Sequence, residues 1–172
     1  MSYRIEIAQT KYITELPEIS RVAAELFPVE DLPLALRSET NPIEVFEEAL
    51  SEQKLWIAVD ENQDKAVGFA FLSDKCGQLH LRELGVHPEH GRQGLGTNLL
   101  KNVIIWAKNQ KYNQLSLTTF RHLPWNAPFY TKLGFKMIEQ SKLNSCLNKL
   151  LDEESKGLDK SKRVLMSLNL NS

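Results

Sequence analysis

The stretch His90 to Thr97 reads His-Gly-Arg-Gln-Gly-Leu-Gly-Thr, three glycines and an arginine set between two patterned segments. An apolar, strand-like run ends just before it at Val86-His87-Pro88, and an amphipathic pattern begins just after it at Leu99-Leu100. That order reads as a strand, a glycine-containing turn and the first turn of a helix. Glycines at 91, 94 and 96 lack a Cβ, so the backbone can bend sharply there and come close to a bulky ligand. The first four N–H groups of a helix have no intrahelical acceptor and sit at the positive end of its dipole, which suits a phosphate or pyrophosphate. Arg92 adds a permanent charge able to bind phosphate in bidentate fashion. The spacing is neither the Gly-x-Gly-x-x-Gly of dinucleotide folds nor a P-loop, which needs Gly-Lys-Ser/Thr. Taken alone, the segment is equally open to being a tight turn that serves helix–strand packing.

The elements around it are legible from periodicity. Tyr3, Ile5 and Ile7 alternate with Arg4 and Glu6, a short strand with one buried face. Ile19, Val22, Ala23 and Leu26 recur at helical spacing after Pro17, and prolines 28, 33 and 42 punctuate a loop-rich passage from Phe27 to Asn41. Asn41-Pro42-Ile43-Glu44 has the form of an N-cap with proline at the first helical position, followed by Val45, Phe46, Ala49 and Leu50 on one side. Lys54 to Val59 and Ala66 to Leu72 form a hairpin across a polar loop, and Leu79 to Val86 is a third antiparallel neighbour. A helix over Thr97 to Asn109 leads to a strand at Leu115 to Phe120, a crossover that makes this strand parallel to Leu79–Val86. Asn126 to Leu133 is a short helix capped by Gly134, Phe135 to Ile138 is extended, Cys146 to Ser155 is helical, and Arg163 to Leu170 is a last strand.

Composition sets the bounds. At 172 residues, with 42% hydrophobic and 25% charged residues, the chain is of ordinary globular make-up and is most simply one domain. A formal net charge of −1 gives no global basic field and so no case for tight nucleic-acid binding. Cys76 and Cys146 form no Cys-x-x-Cys pair, which supports neither a disulfide framework nor a zinc site. His80, His87 and His90 lack cysteine companions, and no metal is expected. Arg4 and Glu6 fall where a signal peptide needs apolar residues, and no run approaches about 18 apolar residues. The expectation is a cytoplasmic, reducing compartment and no membrane partner.

With these pieces placed, the chain resembles the GNAT acetyltransferase superfamily, on motifs between Lys54 and Phe135 and by pattern on the flanks. Leu84-Gly85-Val86-His87-Pro88-Glu89-His90-Gly91-Arg92-Gln93-Gly94-Leu95-Gly96-Thr97-Asn98-Leu99-Leu100 is similar to the family's acetyl-CoA signature. Asn126-Ala127-Pro128-Phe129-Tyr130-Thr131-Lys132-Leu133-Gly134-Phe135 is similar to its short helix ending in Tyr-x-x-x-Gly-Phe. One position departs: the family prefers Gln or Arg three residues before the first signature glycine, and Gly91 stands there, with Arg92 and Gln93 next. The amide cradle does not depend on that side chain, and either Arg92 or Gln93 is left to reach a phosphate.

The resemblance implies an α/β (α+β) fold in one domain over residues 1–172. Its mixed, mostly antiparallel sheet has about six to seven strands, splayed between Leu79–Val86 and Leu115–Phe120 and flanked by about four to five helices. It implies acetyl transfer from acetyl-CoA to a primary amine of a small molecule or peptide, by direct attack in a ternary complex and without a metal. The backbone of Leu84 and Val86 would pair with the pantetheine arm, the amides of Arg92, Gln93, Gly94, Leu95, Gly96 and Thr97 would hold the pyrophosphate, and Asn126 would bond the pantetheine end. Tyr130 would sit near the sulfur and protonate or stabilise the leaving thiolate. For the general base three readings stand: Glu83 on the strand beside the thioester, His122 just past the next strand, or water. Trp125, Phe129 and Phe120 either line an acceptor pocket or belong to the core. A homodimer is allowed, and a CoA-binding regulatory module of the same fold is the rival to an enzyme.

Overall fold

The computed structural model describes residues 2–171; the two terminal residues of the expected 1–172 domain lie outside them. Among the described residues, seven strands form one sheet in the order β1-β2-β3-β4-β5-β7-β6, where β1 is Tyr3–Ile7, β2 Leu55–Asp60, β3 Lys65–Lys75, β4 Gln78–Val86, β5 Gln114–Phe120, β6 Lys136–Ile138 and β7 Arg163–Asn169. Six α-helices accompany it within the described residues: α1 Leu16–Ala24, α2 Leu34–Arg37, α3 Ile43–Ser51, α4 Leu95–Asn109, α5 Ala127–Lys132 and α6 Ser145–Glu154. Antiparallel pairing dominates, and β4 with β5 is the parallel exception that a crossover helix produces. The β4–β5 register runs Leu79↔Leu115 and His80↔Ser116, so the backbone of Leu84 and Val86 stands outside that ladder.

The chain divides into two units, one comprising the segments up to Ser73 and Leu81–Trp106, the other Asp74–His80 and everything from Ala107. In the first, Tyr12, Leu16, Ile19, Phe46, Leu55, Ile57 and Phe69 form the buried core. Phe46 meets Phe69 and Phe71 edge-on at 5.3 and 5.5 Å, pairs of this kind adding about 0.5–1.5 kcal/mol each beyond burial. In the second unit β7 lies between β5 and β6, covered by strands on both sides. Val164, Leu165 and Met166 are all buried, as on a strand covered on both faces, where strict alternation buries every second residue only.

Several local expectations change. Leu26 continues the α1 period on paper, yet the helix ends at Ala24 and Leu26 is exposed. The passage from Phe27 to Asn41 holds α2, and Arg37 at its end donates to the carbonyls of Phe27 and Leu32, pinning the loop with backbone-directed bonds. The N-cap of α3 is Pro42, one residue later than expected, and Asn41 spends its amide elsewhere. Cys76 and Cys146 are joined in a disulfide across 70 residues, against the expectation that they stand apart. The turn between β3 and β4 and the first turn of α6 bring them together, a tertiary fact that spacing does not reveal. Such bonds persist in oxidising surroundings and are rare in the cytosol, so cysteine usage no longer argues for a reducing compartment. Among the described residues, no helix is long and apolar enough to cross a membrane.

Candidate active site

The glycine turn lies in the first unit, between the end of β4 and the start of α4. His87 N–H donates to Val67 C=O, holding the last residue of β4's run against β3. A short 3-10 turn over Pro88–His90 follows, with His87 Nδ1 accepting from Glu89 N–H at 3.2 Å and the Tyr3 hydroxyl 2.9 Å from His90 Nδ1. These two histidines thus shape the approach to the turn. The chain then takes left-handed φ values at Arg92 (+60°) and Gly94 (+76°), not at Gly91 or Gly96. Gly94 is the glycine the turn requires, and nothing lies within 4 Å of where its Cβ would stand. The N–H of Asn98 donates to Gly94 C=O at 3.0 Å, so the amides of Leu95, Gly96 and Thr97 precede the first full turn of a 15-residue helix. Arg92, Gln93 and Gly94 are exposed, while Leu95 is buried and anchors the helix start.

Glu83 lies three residues before the end of β4 and is half-buried. Its Oε2 accepts from Ser20 Oγ at 2.5 Å and its Oε1 from Asn41 Nδ2 at 3.0 Å. Burial pushes its carboxyl above the ordinary value, partly offset by these two donors, which favour the anion. Leu84 and Val86 are half-buried on the same strand. A pocket off α1 is lined by Arg21, Glu25, Leu34, Arg37 and Ser38. Its cations are already engaged, Arg21 with Glu18 and Glu25 and Arg37 with loop carbonyls, so it is a poor anion site.

In the second unit Asn126 is the N-cap of α5 and Gly134 (φ +101°) closes that helix, with Phe135 N–H returning to Tyr130 C=O at 3.1 Å. Asn126 donates through Nδ2 to Trp125 C=O, whereas its Oδ1 is buried with no partner. A buried acceptor left unmet costs about 1–3 kcal/mol, and satisfied polar groups are the rule. Tyr130 is buried between the rings of Phe129 (5.1 Å) and Phe135 (5.7 Å). His122 is exposed and meets Phe120 edge-on at 6.0 Å; Phe120 is buried, Phe129 half-buried and Trp125 41% exposed.

Two polar clusters carry residues that the motifs do not contain. Ser20 and Asn41 come from helix and loop positions whose polar character is unremarkable in sequence, and only the fold sets them against Glu83. His80, fully buried, is 2.7 Å from Ser116 Oγ through Nδ1 and 2.8 Å from Glu154 Oε1 through Nε2. Arg163 stacks over Phe120 at 4.7 Å and donates to Thr118 and the Glu154 carbonyl. Burial lowers its guanidinium to about 10 despite the favourable charge of Glu154. This second cluster fastens the C-terminal end of α6 to β4, β5 and β7, as the disulfide fastens its beginning.

Turn, strand and short helix are the parts that comparison with known proteins finds again. A family model for the acetyltransferase (GNAT) domain matches residues 51–137, just over half of the chain. The chain belongs to the GNAT family. Human N-acetyltransferase 8 is 30% identical over 110 residues, 59% of this chain and 48% of that protein, so the chain spans about half the length of that relative. Three solved structures share the fold. A GNAT acetyltransferase from Staphylococcus aureus has a TM-score of 0.73 at 19% identity, covering 99% of this chain and all (100%) of that one. The ribosomal-protein-S18-alanine N-acetyltransferase of Escherichia coli gives 0.69 at 18% identity, covering 99% and 96%. The PaiA N-acetyltransferase of Thermoplasma acidophilum, in complex with coenzyme A, gives 0.70 at 17%, covering 98% and 99%.

Proposed function

We propose that residues 1–172 act as one N-acetyltransferase domain that moves the acetyl group of acetyl-CoA to a primary amine of a small molecule or peptide, by direct attack with both substrates bound. The observation that carries this reading is the turn at Gly94: a left-handed glycine with open space above it, at the N-terminus of a long helix. That arrangement fits a pyrophosphate, because amides and dipole favour the anion and no Cβ blocks its approach. The buried, unpartnered Oδ1 of Asn126 is the second fit, an acceptor awaiting an N–H such as a pantetheine amide offers.

Acetyl-CoA supplies the acetyl group already activated as a thioester. The amides of Arg92 to Thr97 hold the pyrophosphate, with Arg92 or Gln93 adding a side-chain contact. Leu84 and Val86, outside the β5 ladder, offer backbone groups for added-strand pairing with the pantetheine arm. An amine attacks only when neutral, so a base must accept its proton; Glu83, a carboxylate held at both oxygens, takes that role. Tyr130 holds a phenolic proton for the departing thiolate. Both cysteines are bonded to each other, so neither is a free thiol nucleophile, and the proposed direct transfer needs no acetylated side chain.

The acceptor is an amine by class, as the names of several related structures suggest for those proteins: a ribosomal protein's alanine, or glutamate in the N-acetylglutamate synthase of Neisseria gonorrhoeae. The test is release of free CoA thiol from acetyl-CoA with and without tyramine, spermidine, glutamate and an alanine-leading peptide. Release that depends on one of these amines supports the proposal. Acetyl-CoA binding with no amine-dependent release leaves a CoA-binding module in its place.

A further inference from the structure

Glu83 is held from two separate elements, and neither holder belongs to a recognised motif. Ser20 sits on the inward face of α1 and is buried; Asn41 lies in the loop before α3. The hydroxyl reaches one carboxylate oxygen at 2.5 Å and the amide the other at 3.0 Å, across 63 and 42 residues of chain. We propose that Ser20 and Asn41 are positioning residues that fix the plane of the Glu83 carboxylate and keep it ionised for the acceptor amine. The inference rests on Glu83 being the base of the proposed acetyl transfer.

The chemistry follows from donor and acceptor counts. A carboxylate offers about four lone-pair sites. Two donors on different oxygens lock its orientation yet leave a site on each oxygen to accept the amine's proton. A general base within hydrogen-bond reach gains from such fixing, because geometry decides proton transfer before basicity does. Both donors bond the ionised form more strongly than the neutral acid, so they oppose the burial that favours the acid.

Burial raises the proton affinity of the Glu83 carboxyl, and the hydrogen bonds from Ser20 and Asn41 lower it. On α1, Glu18, Arg21 and Glu25 form their own exposed ion group. Glu39 and Glu44 flank Asn41 along the chain, and Arg82 is the charged neighbour on β4. Asn41 is also not consumed as a helix cap, since Pro42 holds that place.

The sign is fixed: a donor to the anion lowers the carboxyl's proton affinity, so deleting it raises that affinity. The experiment is a carbon NMR titration of protein labelled at the glutamate side-chain carboxyl, with Glu83→Gln identifying the resonance. Ser20→Ala and Asn41→Ala should each raise the Glu83 midpoint by about one pH unit, and the double variant by more. Ser20→Thr, which keeps the hydroxyl, should return it to the wild-type value. The acidic limb of kcat/KM, measured with acetyl-CoA and the panel amine that wild type acetylates, should move upward by the same amount. An unmoved midpoint overturns the proposal, as does a moved midpoint with an unmoved kinetic limb. A wild type that acetylates no panel amine instead overturns the acetyl-transfer reading, while the titration still decides whether Ser20 and Asn41 hold the carboxylate.

Discussion

Replacing Gly94 separates the cost of bending the chain from the cost of crowding the anion. Gly94 has φ +76°, a region where a side chain costs about 1 kcal/mol, and nothing lies within 4 Å of the Cβ position. Gly94→Asn and Gly94→Asp therefore lose about 1 kcal/mol of stability, a drop of roughly 2–4 °C. The aspartate regains part of it, because an anion at a helix N-terminus gains about 0.3–1 kcal/mol. Ligand binding behaves otherwise. A carboxylate about 5 Å from one phosphate charge costs about 3 kcal/mol at an effective dielectric near 20, more than a hundredfold in affinity. Asparagine has the same bulk without the charge, so the Asn-to-Asp difference isolates electrostatics and should shrink at high salt. Titration calorimetry with CoA at low and high ionic strength reads both terms. Gly94→Asp binding CoA within threefold of wild type would refute the assignment of this turn.

Tyr130→Phe keeps the ring contacts to Phe129 and Phe135, so it should leave CoA affinity nearly unchanged while lowering kcat by about a hundredfold, measured by steady-state kinetics. Glu83→Gln should lower kcat and yet raise stability near neutral pH. Its carboxyl is raised in the fold by burial, so ionising it destabilises the native state as pH climbs past the ordinary carboxyl value; below that value the acid is protonated whether folded or not, and the advantage of glutamine should vanish in melts at acid pH. Reduction with a dithiol, or Cys76→Ser with Cys146→Ser, releases a cross-link spanning 70 residues, worth about 4 kcal/mol by loop-closure entropy. Calorimetry should show a fall of about 10 °C.

The parts of the fold read correctly from sequence are those specified locally. The strand over Tyr3–Ile7, whose residues are all half-buried rather than alternately buried, the stripe of Leu100, Val103 and Ala107, and the Asn126 and Gly134 boundaries of α5 each follow from a period or a cap within one turn of the residue concerned. The glycine turn is legible for the same reason, since a left-handed Gly94 and the start of α4 are neighbours in the chain. What escaped is long-range. Asn41 before a proline has every local mark of a cap, and only the arrival of β4 makes it a partner of Glu83. Cys76 and Cys146 carry no mark of pairing until the β3–β4 turn meets α6. Leu26 fits the period of α1, but the helix stops first, and a period cannot report where hydrogen bonding ends. The partners of His80, Ser116 and Glu154, lie on two other elements, which its own sequence neighbourhood does not report.

The most direct test of the account is thermal unfolding of the purified protein alone and with acetyl-CoA, free CoA or ATP, from micromolar to millimolar concentration. A ligand at about a hundredfold above its dissociation constant adds about 2.7 kcal/mol, and a protein of this length gains roughly 2–4 °C per kcal/mol. The account predicts a rise of several degrees with acetyl-CoA and CoA and none with ATP. No shift with acetyl-CoA across that range would contradict it, leaving the Gly94 turn a piece of helix–strand packing or a site for another anion.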